Sequence, residues 1–400
     1  MTNKPQNILF ITWDGPQTSY MEGLFLPIFN EINKHTTNFN FHVLQFTWSD
    51  AVKIQQIQKA ANDLGIHYTA APIYRKPIAV LGSLWSVFKG VSILRKYIRK
   101  HKIDIVMPRS TMPAVMVNRL KTEKVKVLFD ADGLPLEERV DFSGLSKTSK
   151  QYLWLKSEET KLLTTANGVI TRSQKAIDIH LKTIGENYRD KFFVVFNGRN
   201  VNFFQPNYAV KSKKREALGF TDEDVVFVYC GSLGPQYGWE EMMAVFSQYH
   251  SENKQSKFLI LTGNIQFANE RIPEPLKNDI KVLSVPFAEV PDYLNVADVA
   301  FAIRKPTFSM QGVAPIKLGE YLLMGLPTIA SAGIGDTEVV FEQLEECFLY
   351  QHQDENAIAK AVAFLSRMKT GDKTKIRSVG LHYFSLENSA LSYIKALEKL

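Results

Sequence analysis

Short apolar runs alternate with stretches of helical periodicity along nearly the whole 400-residue chain. The first run, residues 7–12, ends at Trp13-Asp14-Gly15-Pro16 and is followed by a helical pattern over 20–34. Extended runs at 41–46, 67–71, 103–107, 125–129, 168–173 and 192–196 continue the series, with helical patterns at 51–64, 84–102 and 147–165 among them. A second series has runs at 225–230, 258–261, 281–285, 299–303 and 327–331, with helical patterns from Glu240, at 291–294, 356–368 and 386–400. Such runs, separated by helices, are expected of parallel strands covered on both faces. The expected class is α/β of the doubly wound kind. Four hundred residues exceed the ~250–300 over which a single core keeps growing, so two domains are expected.

One helical pattern carries unusual charge. Within 84–102, Val87, Phe88, Val91, Leu94 and Ile98 make a stripe, and Lys89, Arg95, Lys96, Arg99, Lys100 and Lys102 lie largely off it. Such a helix fits an anionic membrane surface. It also fits a covering helix that buries its stripe on the sheet and leaves its charges in water, and the strand at 103–107 needs such a cover. Both hold if the charged edge stays exposed.

The 48 Lys and Arg against 41 Asp and Glu give a formal charge of +7, which favours anionic partners without selecting one. Nucleic acid is not an expected partner, because no recognition-helix, zinc-finger or RNP-like signature occurs and the basic residues are dispersed outside the one helix. Cys230 and Cys347 are far apart, each in an apolar run, so buried thiols are expected rather than a disulfide framework or zinc site. With no apolar run of about 18 residues and no signal-peptide pattern, the expected location is cytoplasmic.

Candidate chemistry gathers in 308–337. Pro315 suits the first turn of a short helix, Gly325 its end, and Pro327 forbids continuation. Its amide end, presented by Gln311-Gly312-Val313-Ala314, would be an anion cradle. Lys317 and Glu320 share one face near that end, so a cation could meet phosphate oxygens while a carboxylate accepts from ribose hydroxyls. Gly333-Ile334-Gly335-Asp336 follows as a backbone-approach loop before a helix at Thr337. The same spacing fits a helix cap, a surface ion pair and an ordinary turn. Other strand ends add Gly15, Arg109, the Asp130–Glu138 loop with Asp132 and Glu138, the glycine loop after Cys230 with Gly231 and Ser232, Gly263, and Arg304. A solvated turn competes with the reading of Asp132 as a substrate contact. His180 in a helix, and His35 and His42 in a polar surface region, read as incidental.

The run PIKLGEYLLMGLPTIAS followed by GIGD resembles the nucleotide-sugar segment of glycosyltransferase family 4, retaining enzymes with the GT-B fold. Glu320 matches the second glutamate of that family's E-x7-E motif, and Gly312 stands where the first would fall. The Pro-x-Lys-x-x-Glu-Tyr form resembles a subgroup associated with bacterial surface polysaccharides. The resemblance implies two Rossmann-like domains with parallel sheets facing a central cleft: residues 1–200 for the acceptor, 201–380 for the nucleotide-sugar, and 381–400 as a helix crossing back. It implies donor contacts at Gly15, Gly231, Ser232, Gly263, Gly312, Val313, Ala314, Pro315, Lys317, Leu318 and Glu320. It assigns catalysis to Lys317, Arg304 and Asp132, with Arg109, Asp132 and Glu138 on the acceptor side. Leu233 and Tyr237 occupy positions where the family often carries loop cations, which leaves Lys317 and Arg304 to stabilise the leaving nucleotide without metal. No Asp-x-Asp metal motif lies in a suitable loop. The implied donor is a UDP- or GDP-sugar, with no permanently bound cofactor, and the acceptor a glycan or lipid-linked sugar at the inner face of a membrane. Two other readings use the same scaffold: a nucleotide-sugar epimerase, and a non-catalytic sugar-binding subunit.

Overall fold

The computed structural model describes residues 4–76, 78–120, 124–368 and 373–400. Its contacts separate two compact units, one running to Gly198 and including Leu386–Leu400, the other Arg199–Ser385.

The first unit holds β1 (Gln6–Asp14), β2 (Phe39–Thr47), β3 (His67–Pro72), β4 (Ile105–Pro108), β5 (Lys126–Asp132), β6 (Gly168–Thr171) and β7 (Phe192–Val194) in the order β3-β2-β1-β4-β5-β6-β7. Every pairing is parallel. β1 explains why its run is apolar at every position. Leu9 and Ile11 face the cluster that includes Val87, Val91, Leu94 and Ile98 of the Ala79–His101 helix. Ile8 and Phe10 face Phe25, Phe29 and Tyr393, the last from the Leu386–Glu398 helix. Period-two alternation thus feeds two cores, not one core and solvent.

The second unit holds β8 (Val225–Cys230), β9 (Ser256–Leu261), β10 (Ile280–Leu283), β11 (Val299–Ala302), β12 (Thr328–Ser331) and β13 (Phe348–Tyr350), in the order β10-β9-β8-β11-β12-β13 and again all parallel. Strand order therefore reverses between β1 and β4 in one unit and between β8 and β11 in the other. In open parallel sheets these switch points, at the carboxyl ends, are where ligands bind.

Three expectations are corrected. The basic helix begins earlier, at Ala79, and Phe88 leaves the buried stripe and is exposed. His42 is not on a polar surface but inside β2, its ring stacked on His67 at 4.6 Å. The Lys373–Phe384 helix and β13 were not anticipated. That helix buries only Ile376, Gly380 and Phe384, a stripe too thin to read as amphipathic.

This helix nonetheless positions the short Ile316–Leu323 helix. A Cβ on Gly319 would lie 2.6 Å from the Phe384 ring, and one on Gly380 would lie 2.7 Å from the Leu322 carbonyl carbon, so the two glycines permit the close crossing. Arg377 then donates to the carbonyls of Phe204 and Val201 at 2.8 and 2.9 Å, and to that of Leu323 at the end of the short helix.

Gly380→Ala should destabilise the protein by about 1–3 kcal/mol, because backbone atoms occupy the space of the new methyl, even though alanine gains up to ~1 kcal/mol in helix propensity. Urea denaturation of the full chain checks the sign. A second expectation concerns acid. Burial, then the neighbouring His67 and His101, lowers the His42 pKa to about 4, and burial lowers that of His180 to about 4. An unfolded histidine titrates near 6.5, so between 6.5 and 4 the unfolded chain binds protons that the folded chain refuses. Their contribution is complete above 6.5 and is lost as pH falls through the folded value. Denaturation midpoints should drop over that window, and His42→Gln should flatten part of the drop.

Candidate functional site

The second unit's switch point is built where β8 ends. Tyr321 of the Ile316–Leu323 helix fixes that end, its hydroxyl accepting from the Cys230 N–H at 2.8 Å. This bond brings the first turn of the helix against the glycine loop. The Lys317 side chain lies beside Gly231, where a Cβ would be in ordinary contact at 3.8 Å from Lys317 Cε, and Lys317 Nζ is 3.9 Å from Cys230 Sγ. Burial pushes the Cys230 thiol up to about 11, so it stays a neutral neighbour. The first bond within the helix runs from Gly319 N–H to Pro315 O at 3.4 Å, which leaves the N–H groups of Ile316, Lys317 and Leu318 without an intrahelical acceptor.

Lys317 also faces Glu320, Nζ to Oε2 at 2.8 Å, and Arg199 Nε meets the other carboxylate oxygen at 3.1 Å. Glu320 is only 1% exposed, whereas Lys317 keeps about a third of its side chain in solvent. Burial disfavours the ammonium, but the Glu320 carboxylate outweighs it, so the Lys317 pKa stands above the ordinary lysine value. The carboxylate expected to face a ligand is thus, in this structure, the buried centre of an ion triad.

The surrounding loop differs from expectation in detail. Pro315 is the residue before the helix and not part of its first turn. Gln311 and Val313 spend their N–H groups on Phe308 O and Met310 O in the Ser309–Gly312 turn, and Gly312 itself is buried. Gly335 N–H goes to Met310 O and Gly333 N–H to Glu338, so that loop also consumes its own donors. Leu318 is in the core and can offer only its backbone. Among the expected contacts, Ser232 is exposed with its carbonyl accepting from Tyr229 Oη, and Gly263 is exposed after β9. Arg304 lies at the far side of the glycine loop, donating to Gln236 at 2.8 Å with its guanidinium 5.1 Å from the Tyr237 ring centre.

In the first unit the switch point carries a different network. Arg109 spans Asp130 at 3.1 Å and Asp132 at 2.7 Å, and the buried Arg172 holds Asp130 at 2.7 Å. Ser110 and Asp132 have φ of 63° and 64°, and the sheet register shifts between Asp130 and Asp132. Backbone strain of this kind is held only where surrounding contacts enforce it. Asp132 is the one-third exposed end of the network, and Glu138 sits nearby in sequence on the Pro135–Ser143 helix. Gly15, expected at a donor, is in this unit, where its missing side chain makes room for Trp48. Among the described residues no cluster of three or more His, Cys, Asp and Glu side chains is placed to hold a metal ion. Sequence reading missed Arg199, Arg172, Asp130 and Tyr321. Nothing local to Arg199 ties it to a residue 121 positions away.

Over 98% of this chain and 100% of the other, with a TM-score of 0.71 and 16% identity, the structure resembles Anabaena Alr3699/HepE in complex with UDP-glucose. It resembles sucrose-phosphate synthase from Thermosynechococcus elongatus (TM-score 0.68, 16% identity, 98% of both chains). It also resembles the lipopolysaccharide outer core galactosyltransferase WaaB in apo form (TM-score 0.67, 14% identity, 99% and 100%). The fold is GT-B. Residues 224–367 match the family model for glycosyl transferases group 1. No curated protein matches the chain by sequence.

In this GT-B protein the matched segment holds Lys317, Glu320 and Arg304 together. Arg199 lies outside it but completes the triad. Three amides and an ammonium at one helix end are groups of the kind that bind anions. Removing a partner from a buried carboxylate costs on the order of 3–5 kcal/mol. Arg199→Ala should therefore destabilise the protein more than Lys317→Ala, whose side chain is far better solvated. Paired chemical denaturation curves decide between them.

Proposed function

We propose that this GT-B protein is a retaining, metal-independent glycosyltransferase of family 4, which moves a sugar from a nucleotide-sugar to a glycan or lipid-linked acceptor in surface polysaccharide synthesis. The observation that carries the reading is the Lys317 ammonium, held beside Gly231 at the amide end of a helix on the switch point. Support for a uridine nucleotide comes from the UDP-glucose in the Anabaena structure; the guanine counterpart remains the second candidate. The location is the cytoplasmic side of a membrane. Among the described residues no helix is long and apolar enough to cross one.

In this mechanism the donor diphosphate takes Lys317 from Glu320, the freed carboxylate oxygen accepts from a ribose hydroxyl, and Arg199 keeps the other oxygen neutralised. The amides of Ile316, Lys317 and Leu318 meet the phosphate, and Gly231, Ser232 and Gly263 allow its approach. An acceptor hydroxyl attacks the anomeric carbon from the face that the diphosphate leaves, and Asp132, Arg109 and Glu138 are the candidates for binding the acceptor. One carbon–oxygen bond forms as the other breaks, and the departing diphosphate oxygen takes the hydroxyl proton. Lys317 and Arg304 supply the positive charge that stabilises this departure.

UDP, GDP and their sugars should be screened by thermal shift, since a ligand of the native state raises its melting temperature. One nucleotide class should stabilise the protein, and Lys317→Ala should weaken its binding by roughly 10- to 150-fold, the worth of a charge-assisted hydrogen bond. Transfer with retained anomeric configuration, followed by NMR, is the expected reaction. An isomerised donor formed without acceptor would instead mean an epimerase, and the absence of any nucleotide-dependent shift would sink the proposal.

A further inference from the structure

We propose that the outward face of the Ala79–His101 helix docks the first unit onto an anionic lipid bilayer, and that the cavity behind this helix takes a lipid phosphate drawn from it. The docking half stands without the glycosyltransferase reading, while the cavity half rests on it and names the acceptor class.

Ile78, Leu81, Trp85 and Phe88 are 60, 55, 62 and 57% exposed. Within the helix Leu81, Trp85 and Phe88 recur along one side at 3.6 residues per turn, turned away from the buried Val87, Val91, Leu94 and Ile98, and Ile78 is the extended residue just before the helix. Exposed apolar side chains are ordinary singly, but three on successive turns, with a fourth at the entry to the helix, are not. Further along the same side the exposed residues become Lys89, Lys96, Arg99 and Lys100. The face is thus apolar at one end and cationic at the other, which suits insertion of the first turns among acyl chains with the basic turns at the headgroups. Charge selects the partner. Between Asp63 and Asp104 the chain has eight Lys or Arg and no acidic residue. A second copy would bring like charges together, whereas an anionic leaflet attracts them.

The cavity, of about 590 Å³, adjoins the same helix through Ser83 and Leu84. Trp13, Leu136 and Trp154 make its wall apolar, Arg139 and Lys150 are its cations, and no Asp or Glu lines it. It also reaches Ser110, next to Arg109 of the carboxylate network. An alkyl chain with a phosphate head matches this lining, and a neutral glycan alone would leave the apolar wall unused.

The full chain is floated with phosphatidylcholine vesicles and with phosphatidylcholine–phosphatidylglycerol vesicles. Binding to the anionic vesicles, roughly tenfold or more tighter than to neutral ones given the number of cations, is expected, with a blue shift of tryptophan emission. A Leu81→Glu, Trp85→Glu double variant should lose that binding while keeping its melting temperature. Absence of flotation, flotation that survives the double variant, or a dimer that these substitutions dissolve would overturn the docking. For the cavity, dodecyl phosphate should quench tryptophan emission saturably and lose roughly tenfold in affinity in Lys150→Glu. Equal binding of dodecyl maltoside, or no saturation, overturns the lipid-phosphate assignment. The nucleotide melting shift is read on the same samples, so vesicle binding without it faults the proposed function alone, and the converse faults this inference alone.

Discussion

A carboxylate removed from water must be neutralised where it stands, and Glu320 sets that requirement for the second unit. Two cations answer it from different parts of the chain, Lys317 one turn away and Arg199 at the start of the unit. Desolvation of a lone ion would cost several kcal/mol, so the triad ties the unit's first residue to the helix at its switch point. The same arrangement holds the lysine ready. Its ammonium is charged, partly solvated and aimed along the glycine loop, which is the state an anion-binding group needs before the anion arrives.

The two units share a strand order but balance charge differently at their switch points. In the second, Lys317 and Arg199 outnumber the Glu320 they share, leaving one positive charge in excess. In the first, Arg109 and Arg172 are matched by Asp130 and Asp132. A neutralised, strained network suits a ligand bound through hydroxyl groups rather than one bound through charge. Asp130 and Asp132 flank Ala131 at the end of β5. Their carboxylates are met by guanidinium groups.

The Ala79–His101 helix answers to two environments. One side supplies the core that covers β1 and β4, and the other is apolar over its first turns and basic over its last. A covering helix needs only the first side. The second stays exposed although Lys89 reaches Tyr74 and Phe88 lies under Arg119, and a contiguous exposed apolar face of this kind informs about a partner.

Much of the fold was legible in the chain itself. Runs apolar at every position demand cover on both faces, and that local demand placed every strand but β13 within a few residues, β8 at its observed bounds. The helix between Pro315 and Gly325, and the sharing of one face by Lys317 and Glu320, follow from backbone stereochemistry and the helical repeat alone. Burial does not. Whether Glu320 faces a ligand or an arginine, whether Phe88 lies inside or outside its helix, and whether His42 meets water depend on neighbours far away in sequence. The same holds for Gly319 and Gly380, whose missing side chains matter only because two helices cross there. Local pattern determines which elements form, whereas the environment of each side chain is decided by long-range packing, because desolvation depends on everything around a group and not on its place in the chain.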